Sequence, residues 1–116
     1  MKALLKFEEF GSLLLGIYLF SILDLNWWWF IGLFLAPDVS ALGYLAGSKI
    51  GAWCYNFLHL KSLGILCYLL GTVFNLIEFQ VAGLIIFSHA AFDRLLGYGL
   101  KYETGFKDTH LGKIGN

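Results

Sequence analysis

Residues 27–46 read WWWFIGLFLAPDVSALGYLA, twenty residues with a single charged side chain, Asp38. At 1.5 Å per residue a helix of that length spans about 30 Å, the thickness of a bilayer's hydrocarbon core. Three more apolar stretches of similar length lie at 7–23, 51–71 and 79–98. The links between the four are short, covering 24–26, 47–50 and 72–78. Short links make consecutive helices antiparallel neighbours. The expected architecture is therefore all-α: one domain over 1–116, an integral membrane four-helix up-down bundle with a short polar tail at 101–116.

The composition supports the same solvent. Hydrophobic residues make up 59% of the 116 and charged ones 14%, against about 25% charged in soluble domains, and the mean hydropathy is +0.72. A chain this short cannot hide so much apolar surface in its own core, so lipid is the expected surrounding. A net charge of zero gives no reason to expect a nucleic-acid partner. Lys2 and Lys6 precede an apolar run without a small-residue cleavage site, so the first segment is expected to be retained. Cys54 and Cys67, thirteen residues apart in one segment, would lie about 20 Å apart along a helix and read as packing thiols.

Orientation follows from the basic residues. If both termini share a side, that side gathers Lys2, Lys6, Lys49, Lys101, Lys107 and Lys113, while the opposite loops carry Asp24 and Glu78 and no base. This bias puts both termini in the cytoplasm, with Trp27–Trp29 at the outer interface and Tyr98 and Tyr102 at the inner one. Gly43, Gly47 and Gly51, four apart, suggest a rival parse. There, 41–60 is one helix with a glycine contact face, and 27–36 crosses only half the membrane.

Ionisable residues inside a bilayer are costly and tend to be functional. Counted from the outer ends of the segments, Asp38, His59, Lys61 and His89 fall about 15–18 Å deep, and Asn56, Asp93, Arg94 and Glu8 about 21–23 Å. The level is near the expected midplane. His89 and Asp93 are four apart and Asn56 and His59 three apart, so each pair shares a helix face. Pro37 lacks an N–H and should kink its helix, freeing a carbonyl beside Asp38. Such backbone is tolerated at depth only inside protein or a wet cavity.

Plainer roles exist for each residue. Asp38 and Lys61 could form a register-fixing ion pair, the histidines could bond across the bundle, and Arg94 could snorkel to the inner interface. The sharper expectation is a metal centre of His59, His89, Asp38 and Asp93, because imidazole and carboxylate suit zinc, iron or manganese. Such an ion could activate water for hydrolysis of a lipid or peptide bond. A second reading makes His59 and His89 the axial ligands of a haem. A third has the group relay protons or bind a polar solute, which four helices would do only within a homo-oligomer or a larger membrane complex. Asp108 and His110 in the tail could fold under the bundle towards Asp93 and Asn56.

Four segments, APDVSALGYLAG (36–47), YNFLH (55–59), HAAFDRLLGYGLKY (89–102) and GFKDTHLG (105–112), resemble the family named domain of unknown function 4260. The resemblance covers nearly the whole chain. It implies a small bacterial membrane protein, hence the inner (plasma) membrane with several passes, and it supplies no reaction. Asp38, Asn56, His59, His89, Asp93, Arg94, Asp108 and His110 all fall inside the resembling segments, whereas Lys61 and Glu8 fall outside. The expected function is thus a membrane protein whose His/Asp centre binds a metal ion or polar ligand. The alternative is a non-catalytic accessory subunit. Whether the chain is an enzyme stays open at this stage.

Overall fold

The structure is a computed structural model and describes residues 2–97, 108–109 and 111–113. It is helical: α1 (Lys2–Ser21), α2 (Trp27–Leu33), a 3-10 helix (Ala36–Ala46), α3 (Ser48–Leu58), α4 (Lys61–Val73) and α5 (Ile77–Leu96). A minimal antiparallel hairpin pairs β1 (Asp108–Thr109) with β2 (Gly112–Lys113).

α5 is the centre of the molecule, packed along its length by α1 and α4. Its first half buries Leu84 and Ile85 in the core with Phe20 of α1 and Phe30 of α2, and its second half buries Ala90 and Ala91 beside the polar Ser88, His89, Asp93 and Arg94. Glycines bring α4 and α5 close. A Cβ on Gly64 would stand 2.6 Å from the Gly83 carbonyl oxygen, and one on Gly83 would stand 2.5 Å from that of Gly64. The turns use residues that tolerate the left-handed region: Asp24 (φ 57) between α1 and α2, and Asn75 (φ 55) between α4 and α5. Asn26 caps α2, its side-chain oxygen accepting from the Trp28 amide at 2.9 Å.

Two stretches, Trp27–Ala46 and Ile77–Leu96, are long and apolar enough to cross a membrane. The α3–α4 pair makes a third if its two halves, bent by 44°, are one span. α1 is as long as α5, but Lys6, Glu8 and Glu9 crowd its first half.

Two expected helices are interrupted. The stretch 27–46 changes from α to 3-10 geometry at Leu35–Pro37, and the segment expected over 51–71 is split into α3 and α4 at His59–Leu60. The rival helix over 41–60 is excluded by Gly47, whose φ of 118 ends the 3-10 helix and starts α3. The glycine spacing has a different meaning from the one that parse gave it. The 3-10 helix and α3 fold back on each other around Gly47, so Gly43 meets Cys54 and Gly51 lies against the Tyr44 ring.

Candidate metal centre

Both interruptions serve one place. At the first, Pro37 has no N–H to give, and the Asp38 amide bonds the Leu35 carbonyl at 3.0 Å in 3-10 register. The Phe34 carbonyl therefore lacks both of its helical donors. It accepts instead from Nδ1 of His89 at 2.7 Å. At the second, the His59 amide bonds Asn56 at 3.0 Å, one residue short of its α-helical partner Tyr55. The Tyr55 carbonyl accepts from Nδ1 of His59 itself at 2.8 Å.

A carbonyl only accepts, so each Nδ1 carries a proton, and in the neutral ring the lone pair of Nε2 points the other way. Both Nε2 atoms face carboxylates. Oδ1 of Asp38 lies 3.2 Å from Nε2 of His59 and 3.1 Å from Nε2 of His89. Oδ2 of Asp93 lies 3.4 Å from each. The four donor atoms are all within 4.8 Å of one another. Four such donors facing one point repel unless a cation lies among them, either a proton on Nε2 shared with Asp38 or a metal ion. Bonds of 2.0–2.1 Å to a tetrahedral zinc would put neighbouring ligands about 3.3 Å apart, and the four imidazole–carboxylate distances are 3.1–3.4 Å. The group could hold a metal ion.

The surroundings fix these side chains. The Tyr55 ring stacks on His59, with centroids 3.8 Å apart and planes 8° from parallel. Its hydroxyl donates to Oδ2 of Asp93 at 3.2 Å. Rings of Trp27, Phe30 and Phe34 follow one another along α2, and Phe34 ends that row against His89 at 5.3 Å. Nη2 of Arg94 donates at 2.9 Å to the His59 carbonyl at the α3–α4 break. His59 and His89 are buried and the Asp93 side chain nearly so, while that of Asp38 is 49% exposed. At helical rise His89 and Asp93 stand about 18 and 24 Å from Ile77 in a helix about 29 Å long. The cluster thus lies in the C-terminal half of α5, past its middle.

Most of the expected metal ligands and supporting residues can be placed against this geometry. His59, His89, Asp38 and Asp93 come together. Arg94 does not snorkel: it is 8% exposed, because the break leaves a carbonyl within its reach. Lys61 does not pair with Asp38; its Nζ bonds both carboxylate oxygens of Glu9, at 2.9 and 2.7 Å. Glu8 is exposed on α1, and its neighbour Glu9, about 100° further round the helix, faces the protein. Asn56 supplies the backbone carbonyl that ends α3 and is not among the four donors. Asp108 enters through its backbone pairing with Lys113, and His110 lies outside the described residues, as do Tyr98 and Tyr102. Tyr55 was missed by sequence reasoning, although its place four residues before His59 put both on one helix face.

The family model for the domain of unknown function 4260 matches residues 2–114. The chain belongs to that family. No curated protein and no solved structure matches it. In this family member all four clustered side chains lie inside the matched range.

The haem geometry fits poorly. The two imidazole rings stand edge to face with centroids 4.9 Å apart, and both carboxylates approach the same two Nε2 atoms. A porphyrin between the rings would occupy the carboxylates' place.

Proposed function

We propose that this chain is a multi-pass protein of the bacterial inner membrane that holds one divalent metal ion on His59, His89, Asp93 and Asp38. In this reading α1, 27–46, 48–73 and α5 are four crossings with the basic termini in the cytoplasm. The apolar side chains exposed on the 3-10 helix and α3, such as Leu42, Leu45 and Trp53, face lipid. The observation that carries the proposal is the pinning of both Nδ1 protons on helix-break carbonyls, which aims both Nε2 atoms at two carboxylates.

Zinc, iron or manganese would each accept these atoms, the last two with higher coordination. The buried donors are two histidines and one carboxylate, a set found in catalytic metal sites that keep a further position open. That position would be the one Asp38 covers, since Asp38 is the only ligand with a half-exposed side chain. An ion there would acidify water, and hydrolysis of an ester or amide bond presented from the bilayer is the reaction class we assign. An accessory-subunit role is disfavoured, because the polar residues converge within one chain instead of facing outward.

Cobalt(II) titration in mild detergent tests this. A tetrahedral nitrogen–oxygen site gives a visible absorption band at one equivalent, displaced by zinc and absent in His89→Ala. No band, or a band that His89→Ala retains, would refute the site.

A further inference from the structure

Two kinds of groove flank the metal centre, and the His59 segment divides them. Leu58 walls one and Leu60 the other. The Leu58 groove, about 220 Å³, is apolar and runs between α2 and α5 along Leu33, Pro37 and Ile85. It shares Leu33 and Ala82 with a second apolar groove of about 380 Å³ that reaches Trp29 at the far end of α2. Its walls are the residues beside the metal ligands: Pro37 precedes Asp38, Leu58 precedes His59, and Ile85 is one turn before His89.

The Leu60 groove, about 400 Å³, is lined by Glu9, Lys61, Ser62 and Arg94. It shares Leu5, Arg94 and Leu111 with a neighbouring groove that adds Lys6. Three cations against one carboxylate leave this end positive, at the basic end of the chain. Arg94 joins the groove to the centre directly, through its bond to the His59 carbonyl.

We propose that the ligand of this site is an anionic, phosphate-bearing amphiphile. Its phosphate lies among Lys6, Lys61, Ser62 and Arg94, and its hydrocarbon chain along Leu33, Pro37 and Ile85. The linkage between head and chain is then held at the level of the metal. Positive charge on one side of the centre and an apolar wall on the other, broken by Glu78 only in the farther groove, match the two ends of such a molecule. Neither half alone distinguishes a lipid from a free phosphate or from solvent hydrocarbon, and the pairing does. The inference rests on the metal reading, because the metal defines the point between the two grooves.

The test is calorimetric titration of the zinc-loaded full chain in mild detergent. The probes are a short-chain phosphatidic acid, phosphatidylcholine of equal chain length, and inorganic phosphate. Lys6→Gln and Ser62→Ala, both at exposed positions, address the head, and Ala36→Phe, which fills the apolar groove, addresses the chain. Phosphatidic acid is expected to bind at least tenfold tighter than the choline lipid. Lys6→Gln should weaken it about fivefold, the worth of one basic side chain against anionic lipid. Ala36→Phe should weaken the lipid and leave inorganic phosphate unaffected. Equal binding of both lipids would overturn the proposal, as would indifference to all three substitutions. Phosphate binding that matches the lipid's, with Ala36→Phe silent, would assign the groove to a free anion and overturn the amphiphile. Zinc content measured on the same samples separates these outcomes from failure of the metal site itself.

Discussion

Replacing Tyr55 by Phe isolates one part of the metal centre. The hydroxyl donates to Oδ2 of Asp93 at 3.2 Å, and that same oxygen faces Nε2 of both histidines at 3.4 Å. Phenylalanine keeps the ring stacked on His59 and removes only the hydrogen bond that orients the carboxylate. Loss of a group that orients a metal ligand typically costs 10–100-fold in affinity, about 1.4–2.7 kcal/mol. A 3.2 Å bond is long for a hydroxyl donor, which puts the expected loss near the tenfold end. At fixed free zinc, the metal-linked stabilisation should fall by about 1.4 kcal/mol. Competition against a chromogenic chelator in detergent measures the affinity, and a thermal melt with and without zinc measures the linkage. His89→Ala, which removes a ligand outright, should lose far more. An affinity for Tyr55→Phe within twofold of wild type would refute the positioning role. A loss as large as that of His89→Ala would show that Tyr55 holds the fold and not one oxygen.

Gly83→Ala forces a Cβ to 2.5 Å from the Gly64 carbonyl oxygen and the Tyr68 amide nitrogen, and since both are backbone, α4 must move off α5. A cost of about 1–3 kcal/mol is expected in a denaturation assay, whereas Gly11→Ala, which meets nothing within 4 Å, should be neutral or stabilising. Glu9→Gln strands the partly buried Lys61 ammonium, so a double-mutant cycle with Lys61→Gln should give a coupling of about 1–2 kcal/mol with zinc content unchanged; a change in zinc content would link Lys61 to the metal site. A reporter fused after Asn116 should be active only in a cytoplasmic form, and an externally active one would invert the proposed topology.

How far the sequence carries this picture differs from element to element. Apolar lengths locate 27–46 and the helix ending near Leu96, because an apolar run of membrane-crossing length is written directly into composition. Helix periodicity pairs His89 with Asp93, and the missing N–H of Pro37 announces a released carbonyl. What takes that carbonyl, Nδ1 of His89, is a contact across fifty-five residues, and no local pattern encodes it. The break at His59–Leu60 is harder still. No proline or glycine marks it, and Leu58, Leu60 and Lys61 beside it are good helix formers, so bonds at Tyr55 and Arg94 hold it open. Depth counting puts Lys61 level with Asp38 but gives height and not direction around a helix. Direction sends Lys61 to Glu9 on α1. Helix direction in turn does not separate Asn56 from Tyr55, since positions three and four before His59 both share its face.

Four side chains from three separate stretches of chain are proposed to hold one ion. The most direct test is elemental analysis of the protein purified in mild detergent, after zinc, iron and manganese have each been offered in excess and removed. A parallel preparation of the His59→Ala, His89→Ala double variant serves as reference. The account predicts about one equivalent of metal in the wild type and none in the variant, with both running as the same folded species. A wild-type protein that retains no metal, or a double variant that retains as much, would contradict it.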